Sequence, residues 1–333
     1  MTMTGDGALT IGVDLGGTKV EVGLVDQHGK VLGGGRRPTG PERGPDGVLS
    51  DLVACIAEDL PATAERAVLG VGVGVAGQVE PETGTVLRAP NLEWSDFPLK
   101  ARLEEAIDHP VFVINDVQAA TYGEWTCGAG QGAKDIVCLF VGTGVGGGVV
   151  SDGSLIRGCG GTAGELGHMI IERHGPECTC GNRGCLEAFA AGWAIARRAR
   201  DATGEEPDEG RMLIDLAGGR AENLTAEVVA EAARQGDPLA MRLVRETGEA
   251  LGVGVASIAN TFNPCKVIMG GGVLEGMPEL LELAEAEARR RALEAALRSL
   301  EVVKAGLGKH SGTVGAAMWA RKSLTAAGID PYR

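Results

Sequence analysis

Two stretches of this chain carry the same device: an apolar strand, a turn of glycines and threonine, then a second apolar strand. In residues 11–31 it runs from a strand at Thr10–Val13 through Asp14-Leu15-Gly16-Gly17-Thr18-Lys19 into Val20–Val25. The turn Asp26-Gln27-His28-Gly29 and a third strand from Lys30 follow. In residues 137–157 it runs from Ile136–Val141 through Gly142-Thr143-Gly144-Val145-Gly146-Gly147-Gly148 to a strand and the turn Asp152-Gly153. Strand, tight turn and strand make a hairpin, so each copy opens an antiparallel segment rather than a βαβ unit. One sheet unit used twice predicts an internal duplication, with two related α/β domains facing each other across a cleft.

Glycine supplies the raw material. The 54 glycines of the 333 residues follow no G-x-y period and lie inside Val/Ile-rich runs, which excludes collagen and low-complexity disorder. They imply tight turns and places where backbone approaches a ligand. Lys+Arg 31 against Asp+Glu 45 leaves a net charge of −14, which argues against nucleic acid or an anionic membrane as partner. The apolar run Leu251–Phe262 is too short to span a bilayer. Residues 1–17 hold no basic or apolar leader region, so no signal peptide and a cytoplasmic location are expected.

Eight cysteines in a chain of this size do not read as a disulfide framework. Cys55, Cys127, Cys138, Cys159 and Cys265 sit in apolar or glycine-rich surroundings and are expected as buried thiols. Cys178, Cys180 and Cys185 fall within eight residues and call for a separate explanation.

Between the two hairpins the pattern predicts a helix over Gly47–Asp59 and a buried strand at Val68–Val75. The strand Val111–Ile114 then delivers Asn115-Asp116 to a helix over about 117–126. The second half reads as helical: Leu186–Arg200, Thr225–Gln235, Asp237–Asn260 opened by Asp-Pro, and Pro278–Ser299, with a short strand at Val267–Met269. Residues 201–223 are acidic and read as a surface insertion. The coarse class is α/β with mixed sheets.

Two glycine patterns match G-x-G-x-x-G, at Gly72/Gly74/Gly77 and Gly142/Gly144/Gly147, but neither is followed by a helical period. A dinucleotide site needs that helix to hold pyrophosphate, so this reading fails; no Walker A sequence occurs. Bare N–H groups in such turns form anion-binding nests, and Thr hydroxyls add donors. Two facing loops of this kind could hold a polyphosphate chain from both sides.

The order Asp14-Leu15-Gly16-Gly17-Thr18-Lys19, Asn115-Asp116, Val141-Gly142-Thr143-Gly144 and Met269-Gly270-Gly271-Gly272 resembles the two-domain actin/hexokinase-like (ribonuclease H-like) fold with an interdomain cleft. Gly164-Glu165-Leu166-Gly167-His168, followed by Cys178-Thr179-Cys180-Gly181-Asn182-Arg183-Gly184-Cys185-Leu186-Glu187, resembles the ROK family of bacterial sugar kinases, and within it the glucokinases. The likeness spans nearly the whole chain. The family also holds repressors with an N-terminal DNA-binding helix-turn-helix, for which no room is expected ahead of the first glycine loop.

That resemblance implies an ATP-dependent hexose kinase making glucose 6-phosphate. Other acceptors are N-acetylglucosamine, N-acetylmannosamine, an amino sugar or fructose, and a sugar sensor without turnover is the alternative from another class. It implies Asp116 as the catalytic base, and Asn91, Asn115, Asp116, Glu165, His168 and Glu187 around the sugar. Gly16, Gly17, Thr18, Lys19, Gly142, Thr143 and Gly144 would serve ATP phosphates, Asp14 would hold Mg²⁺ through water, and Gly271 and Gly272 would lie under adenosine. On spacing alone, Asn115-Asp116 also fits a plain helix cap. Two departures from relatives lie on the sugar side: Glu93-Trp94 for the common Gly-Trp, and Val117-Gln118 for Ala-Asn. Three thiolates and an imidazole suit a closed, structural, tetrahedral Zn²⁺ site. Cys178, Cys180, Cys185 and His168 supply it, with His174 as competing fourth ligand and the family spacing favouring His168. His28, His109 and His310 read as exposed or capping. Expected domains are 1–119, completed by a C-terminal helix at 311–333, and 120–310 with the zinc loop; a dimer or tetramer is expected.

Overall fold

A computed structural model describes residues 7–59 and 67–326 of the chain; the end of the expected C-terminal helix, 327–333, lies outside the described residues. Among the described residues thirteen strands form three sheets. They are β1 (Leu9–Leu15), β2 (Lys19–Val25), β3 (Val31–Pro38), β4 (Val68–Val75), β5 (Gln78–Val79), β6 (Val86–Ala89), β7 (Trp94–Phe97), β8 (Val111–Asn115), β9 (Ile136–Val141), β10 (Val145–Ser151), β11 (Ser154–Leu155), β12 (Lys266–Gly270) and β13 (Glu301–Lys304). The first sheet runs β3-β2-β1-β4-β8 and the second β11-β10-β9-β12-β13. Each is a hairpin strip extended by two parallel strands: β1 pairs antiparallel with β2 and parallel with β4, and β12 pairs parallel with β9 and β13. Both sheets follow one plan, as the repeated strand–glycine–strand device demands. The three-stranded sheet β5-β6-β7 is inserted between β4 and β8 of the first copy.

The chain divides into two compact units: 1–133 with 148–164 and 305–333, and 134–147 with 165–304. In the first, a row of glycines crosses four strands, with Gly34 beside Gly23, Gly23 beside Gly12, and Gly12 beside Gly72. The helix Ser311–Ala326 lies on Gly23, Gly12 and Gly72 of that row, and Gly34 stays exposed. A Cβ on Gly12 would overlap the Thr313 carbonyl, and one on Gly72 the Ala316 carbonyl. On the same helix, Gly315 lets the helix Asp116–Cys127 approach backbone to backbone at Ala119. The glycine excess thus replaces side-chain layers with direct contact.

In the second unit the helix Pro238–Phe262 opens as its Asp-Pro start predicts, with the Ala240 N–H donating to Asp237 Oδ1 at 2.7 Å. It packs on the helix Glu279–Arg291, where Gly248 meets Leu283 and Gly252 meets Glu287. Its apolar run is therefore a core face, and among the described residues no helix is long and apolar enough to cross a membrane.

Several expectations change. The single helix expected over 186–200 is two, Glu187–Ala190 and Gly192–Glu205, broken at Ala191 with ψ 154. The helix expected over 278–299 ends at Arg291 because Ala292 turns extended, and Glu294–Leu297 resumes it. Residues 201–223 are largely helical and anchored by fully buried Leu213. Cys55 and Cys138 are buried, but Cys159 and Cys265 are exposed, because they stand in turns before Gly160 and β12 respectively. His310 is paired, its Nδ1 lying 2.8 Å from Glu21 Oε1.

Candidate active site and metal centre

In the first unit, Asp14-Leu15-Gly16-Gly17-Thr18-Lys19 turns between β1 and β2, closed by the Gly16 N–H donating to the Lys19 carbonyl at 3.0 Å. Thr39, at the end of β3, steadies it: its hydroxyl donates to the Gly16 carbonyl at 2.6 Å, and its N–H to the Thr18 carbonyl at 3.0 Å. Thr18 and Lys19 are exposed. Asn91 belongs to this neighbourhood, since a Cβ on Gly17 would stand 2.6 Å from Asn91 Cβ. Asn91 lies in the short 3₁₀ turn Pro90–Leu92, which ends on Glu93 at φ 57. That left-handed backbone favours glycine over glutamate.

Asn115 and Asp116 divide the labour that the sequence left open. Asn115 is the helix cap: its Oδ1 accepts from the Val117 and Gln118 N–H groups at 3.0 Å each. Its Nδ2 donates to the Gly77 carbonyl at 3.1 Å and to Asp116 Oδ1 at 2.9 Å. Asp116, the first residue of the helix, is thereby released from capping and oriented by its neighbour. Asp14 responds to the same surroundings. Burial pushes its carboxyl up to about 7, the Asp116 carboxylate adds to the rise, and Lys19 opposes it. Asp14 near the end of β1 and Asp116 at the start of its helix, two interacting carboxylates opposed by Lys19 and Arg36, are hard oxygen donors of the type that suits a divalent cation such as Mg²⁺.

In the second unit, Gly142-Thr143-Gly144 turns between β9 and β10, with the Gly142 N–H donating to the Gly144 carbonyl at 2.9 Å. The turn repeats the first loop's closure. Glu187, 8% exposed, is tied to it: Oε2 accepts from the Val145 N–H at 2.9 Å, and Oε1 from the Thr179 hydroxyl at 3.1 Å. A Cβ on Gly144 would stand 2.7 Å from Glu187 Oε2, so a glycine is what admits the carboxylate. Gly271, at φ 98, backs onto Val141 ahead of this loop, and Gly272 opens the helix Gly272–Gly276. Glu165 is exposed and precedes the turn Leu166–His168.

His168, Cys178, Cys180 and Cys185 converge, with one ligand atom from each lying within 4.8 Å of the others. Cys180 Sγ and Cys185 Sγ are 3.7 Å apart, and Cys178 Sγ lies 3.8 Å from His168 Nδ1. A tetrahedron with ~2.3 Å Zn–S bonds has edges of about 3.8 Å, so the donor set fits Zn²⁺ in type and spacing. His174 is exposed and outside the group. Burial pushes the Cys185 thiol up to about 12 and raises that of Cys178, whereas the Asn182 N–H lowers Cys180. A bound dication reverses such rises by deprotonating its thiols. The knuckle is pinned by backbone bonds, Cys178 N–H to the Asn182 carbonyl at 2.8 Å and Leu186 N–H to the Met169 carbonyl at 2.9 Å. Cys178 also lies 3.7 Å from Glu187 Oε1, so the Cys/His knuckle and the carboxylate share an edge.

Sequence reasoning passed over Thr39, Glu124 and Thr179, and met Gln118 only as a departure from the family pattern. Of the three passed over, only Thr179 had a signal, its place between Cys178 and Cys180.

The sequence matches the ROK family model over residues 10–323. A glucokinase of Streptomyces coelicolor is 36% identical over 317 residues, covering 94% of this chain and 98% of that protein. A glucokinase of Thermotoga maritima is 38% identical over 308 residues, covering 92% and 95%. The crystal structure of a ROK family glucokinase from Streptomyces griseus in complex with glucose and AMPPNP superposes with a TM-score of 0.82 at 39% identity, covering 94% of this chain and 99% of that one.

Proposed function

The chain belongs to the ROK family, and from that premise we propose that it is a glucokinase, transferring the γ-phosphoryl of ATP to glucose. The observation that carries the reading is the Asn115–Asp116 pair. A helix-opening aspartate whose capping duty is taken by its neighbour keeps its carboxylate for chemistry. Phosphoryl transfer to a hydroxyl needs one proton acceptor, with positioning and charge stabilisation supplying the rest. Asp116 accepts the hydroxyl proton. Asn91, Asn115, Glu165, His168 and Glu187 offer amide, carboxylate and imidazole partners to a ring of hydroxyls. The loops Gly16–Lys19 and Gly142–Gly144 present N–H groups and the Thr18 and Thr143 hydroxyls to the phosphates, and Gly271-Gly272 serves the adenosine.

Asp14 would hold Mg²⁺, which offsets phosphate charge when bound. His168, Cys178, Cys180 and Cys185 would hold a structural Zn²⁺. Ligated in that way, the knuckle that leads to Glu187 and the tautomer of His168, whose Nδ1 lies beside the Cys178 thiol, would be fixed. A thiol cluster suited to metal rather than to disulfides, and the use of ATP, support a cytoplasmic location.

The test is ADP release across a panel of glucose, N-acetylglucosamine, N-acetylmannosamine and fructose, with Asp116→Asn beside the parent. Glucose should give the highest kcat/KM. The variant should lose about 10³-fold or more in kcat while binding glucose nearly as before. No sugar-dependent ADP release would leave a sensor, and equal loss of binding and turnover would make Asp116 structural.

A further inference from the structure

Gln118 stands two residues after Asp116 and is only 3% exposed. Its amide nitrogen donates twice, to the Gly161 carbonyl at 2.9 Å and to the Ala163 carbonyl at 3.1 Å. Both acceptors lie in the loop Gly158-Cys159-Gly160-Gly161-Thr162-Ala163-Gly164, which leads directly into Glu165. Three of its glycines are left-handed: Gly158 at φ 74, Gly161 at φ 75 and Gly164 at φ 96. A loop so rich in glycine loses much backbone entropy when fixed, so a few ties decide its conformation. Apart from the Gln118 amide, the tie inside it is the Ala163 N–H donating to the Arg157 carbonyl at 3.0 Å. Gly161 also sits tightly on β5, where a Cβ would stand 2.6 Å from the Val79 carbonyl.

We propose that Gln118 is a positioning residue for the hexose: it fixes the Gly158–Gly164 loop and so sets where the Glu165 carboxylate is delivered. Gln118 touches no reacting atom. Its reach matters, because asparagine at this position is shorter by one carbon–carbon bond, about 1.5 Å, and cannot span both carbonyls. Residue 118 is thus a length-tuned determinant of sugar affinity that acts through the loop. The inference rests on the reading of Glu165 as a sugar ligand.

Cys159 provides a reporter, being an exposed thiol inside the loop, with exposed Cys265 as a reference elsewhere. The experiment compares Gln118→Leu, Gln118→Asn, Glu165→Gln and the parent by steady-state kinetics and by the rate of iodoacetamide alkylation at each cysteine, read by peptide mass. Both Gln118 variants should raise the KM for glucose about 10-fold or more, with KM for ATP and kcat within about 2-fold. Cys159 should be alkylated several-fold faster in both variants while Cys265 is unchanged, and saturating glucose should slow Cys159 in the parent. Glucose and ATP KM values rising together would mean general disruption and overturn the proposal. An unchanged glucose KM in the Gln118 variants, beside a raised one in Glu165→Gln, would overturn it while sparing the sugar-ligand reading. An unchanged glucose KM in Glu165→Gln would overturn that reading and the proposal with it.

Discussion

Glu124 is fully buried on the helix that begins with Asp116, and its carboxylate collects four hydrogen bonds. Oε2 accepts from the Ala129 N–H at 3.0 Å and the Gly306 N–H at 2.8 Å; Oε1 accepts from the Leu307 N–H at 2.9 Å and the Ser311 hydroxyl at 2.8 Å. One side chain thus ties the end of its own helix to the segment that opens Ser311–Ala326. Glu124→Gln keeps the length but turns one oxygen into an N–H₂ group facing two donors. Two buried donors then lose their acceptor, at about 1–3 kcal/mol each. The expected loss is about 3 kcal/mol, and at roughly 2–4 °C per kcal/mol for a domain of this size the melting temperature falls by about 6–12 °C. Ser311→Ala removes one bond from the same oxygen and should cost about 1 kcal/mol. Urea denaturation gives the free energies, and amide exchange at Ala129, Gly306 and Leu307 localises them. A Glu124→Gln protein within about 0.5 kcal/mol of the parent, with those amides still protected, would refute the clamp.

Removing zinc with a chelator, or changing Cys180→Ala, should weaken glucose binding far more than ATP binding, because the knuckle leads to Glu187 and contains Thr179, its hydrogen-bond partner; calorimetric titration with each ligand decides, and equal weakening would refute it. Asp14 titrates near 7 in the folded chain against 3.8 as a free side chain, so the folded state binds more protons between those values. Its stabilising share is complete below about 4 and is lost as pH rises through 7. The Asp14→Asn protein should therefore be more stable than the parent at pH 8 without Mg²⁺ and lack that slope; matching pH–stability curves would count against this. Glu93→Gly relieves a left-handed glutamate and should be neutral or stabilising by up to about 1 kcal/mol in thermal melts; a clear loss would mean the Glu93 side chain has a role of its own.

Much of this was legible because its causes are local. The Asp237-Pro238 start fixes a cap, and the spacing of Cys178, Cys180 and Cys185 fixes a knuckle within eight residues. The repeated hairpin was readable since both copies carry the same turn chemistry. The sheet β5-β6-β7 was not, because strands of two to four residues show no period. Nor were the breaks at Ala191 and Ala292, since alanine is a helix former and tertiary packing ends those helices. Cys159 and Cys265 were misjudged because apolar neighbours in sequence do not bury a residue set in a turn. Glu124 reads as an ordinary polar helix position; only the fold shows four donors converging on it from segments 129 and 306–311.

The glycine row under Ser311–Ala326 bears on how the protein is made. A sheet face lined by Gly12, Gly23 and Gly72 has little side-chain bulk of its own to collapse on. It is covered by a helix that comes after β13 in the chain and so is synthesised long after β1. At about 5–20 residues per second the ribosome takes on the order of fifteen seconds or more to travel from β1 to that helix. During that interval the first sheet waits uncovered, while the second unit, 134–147 with 165–304, has already been made in full. Termination before that helix would therefore release not a shortened kinase but a chain whose first unit cannot close. Nascent-chain folding assays should find the order of maturation reversed, with the later unit settling before the earlier one.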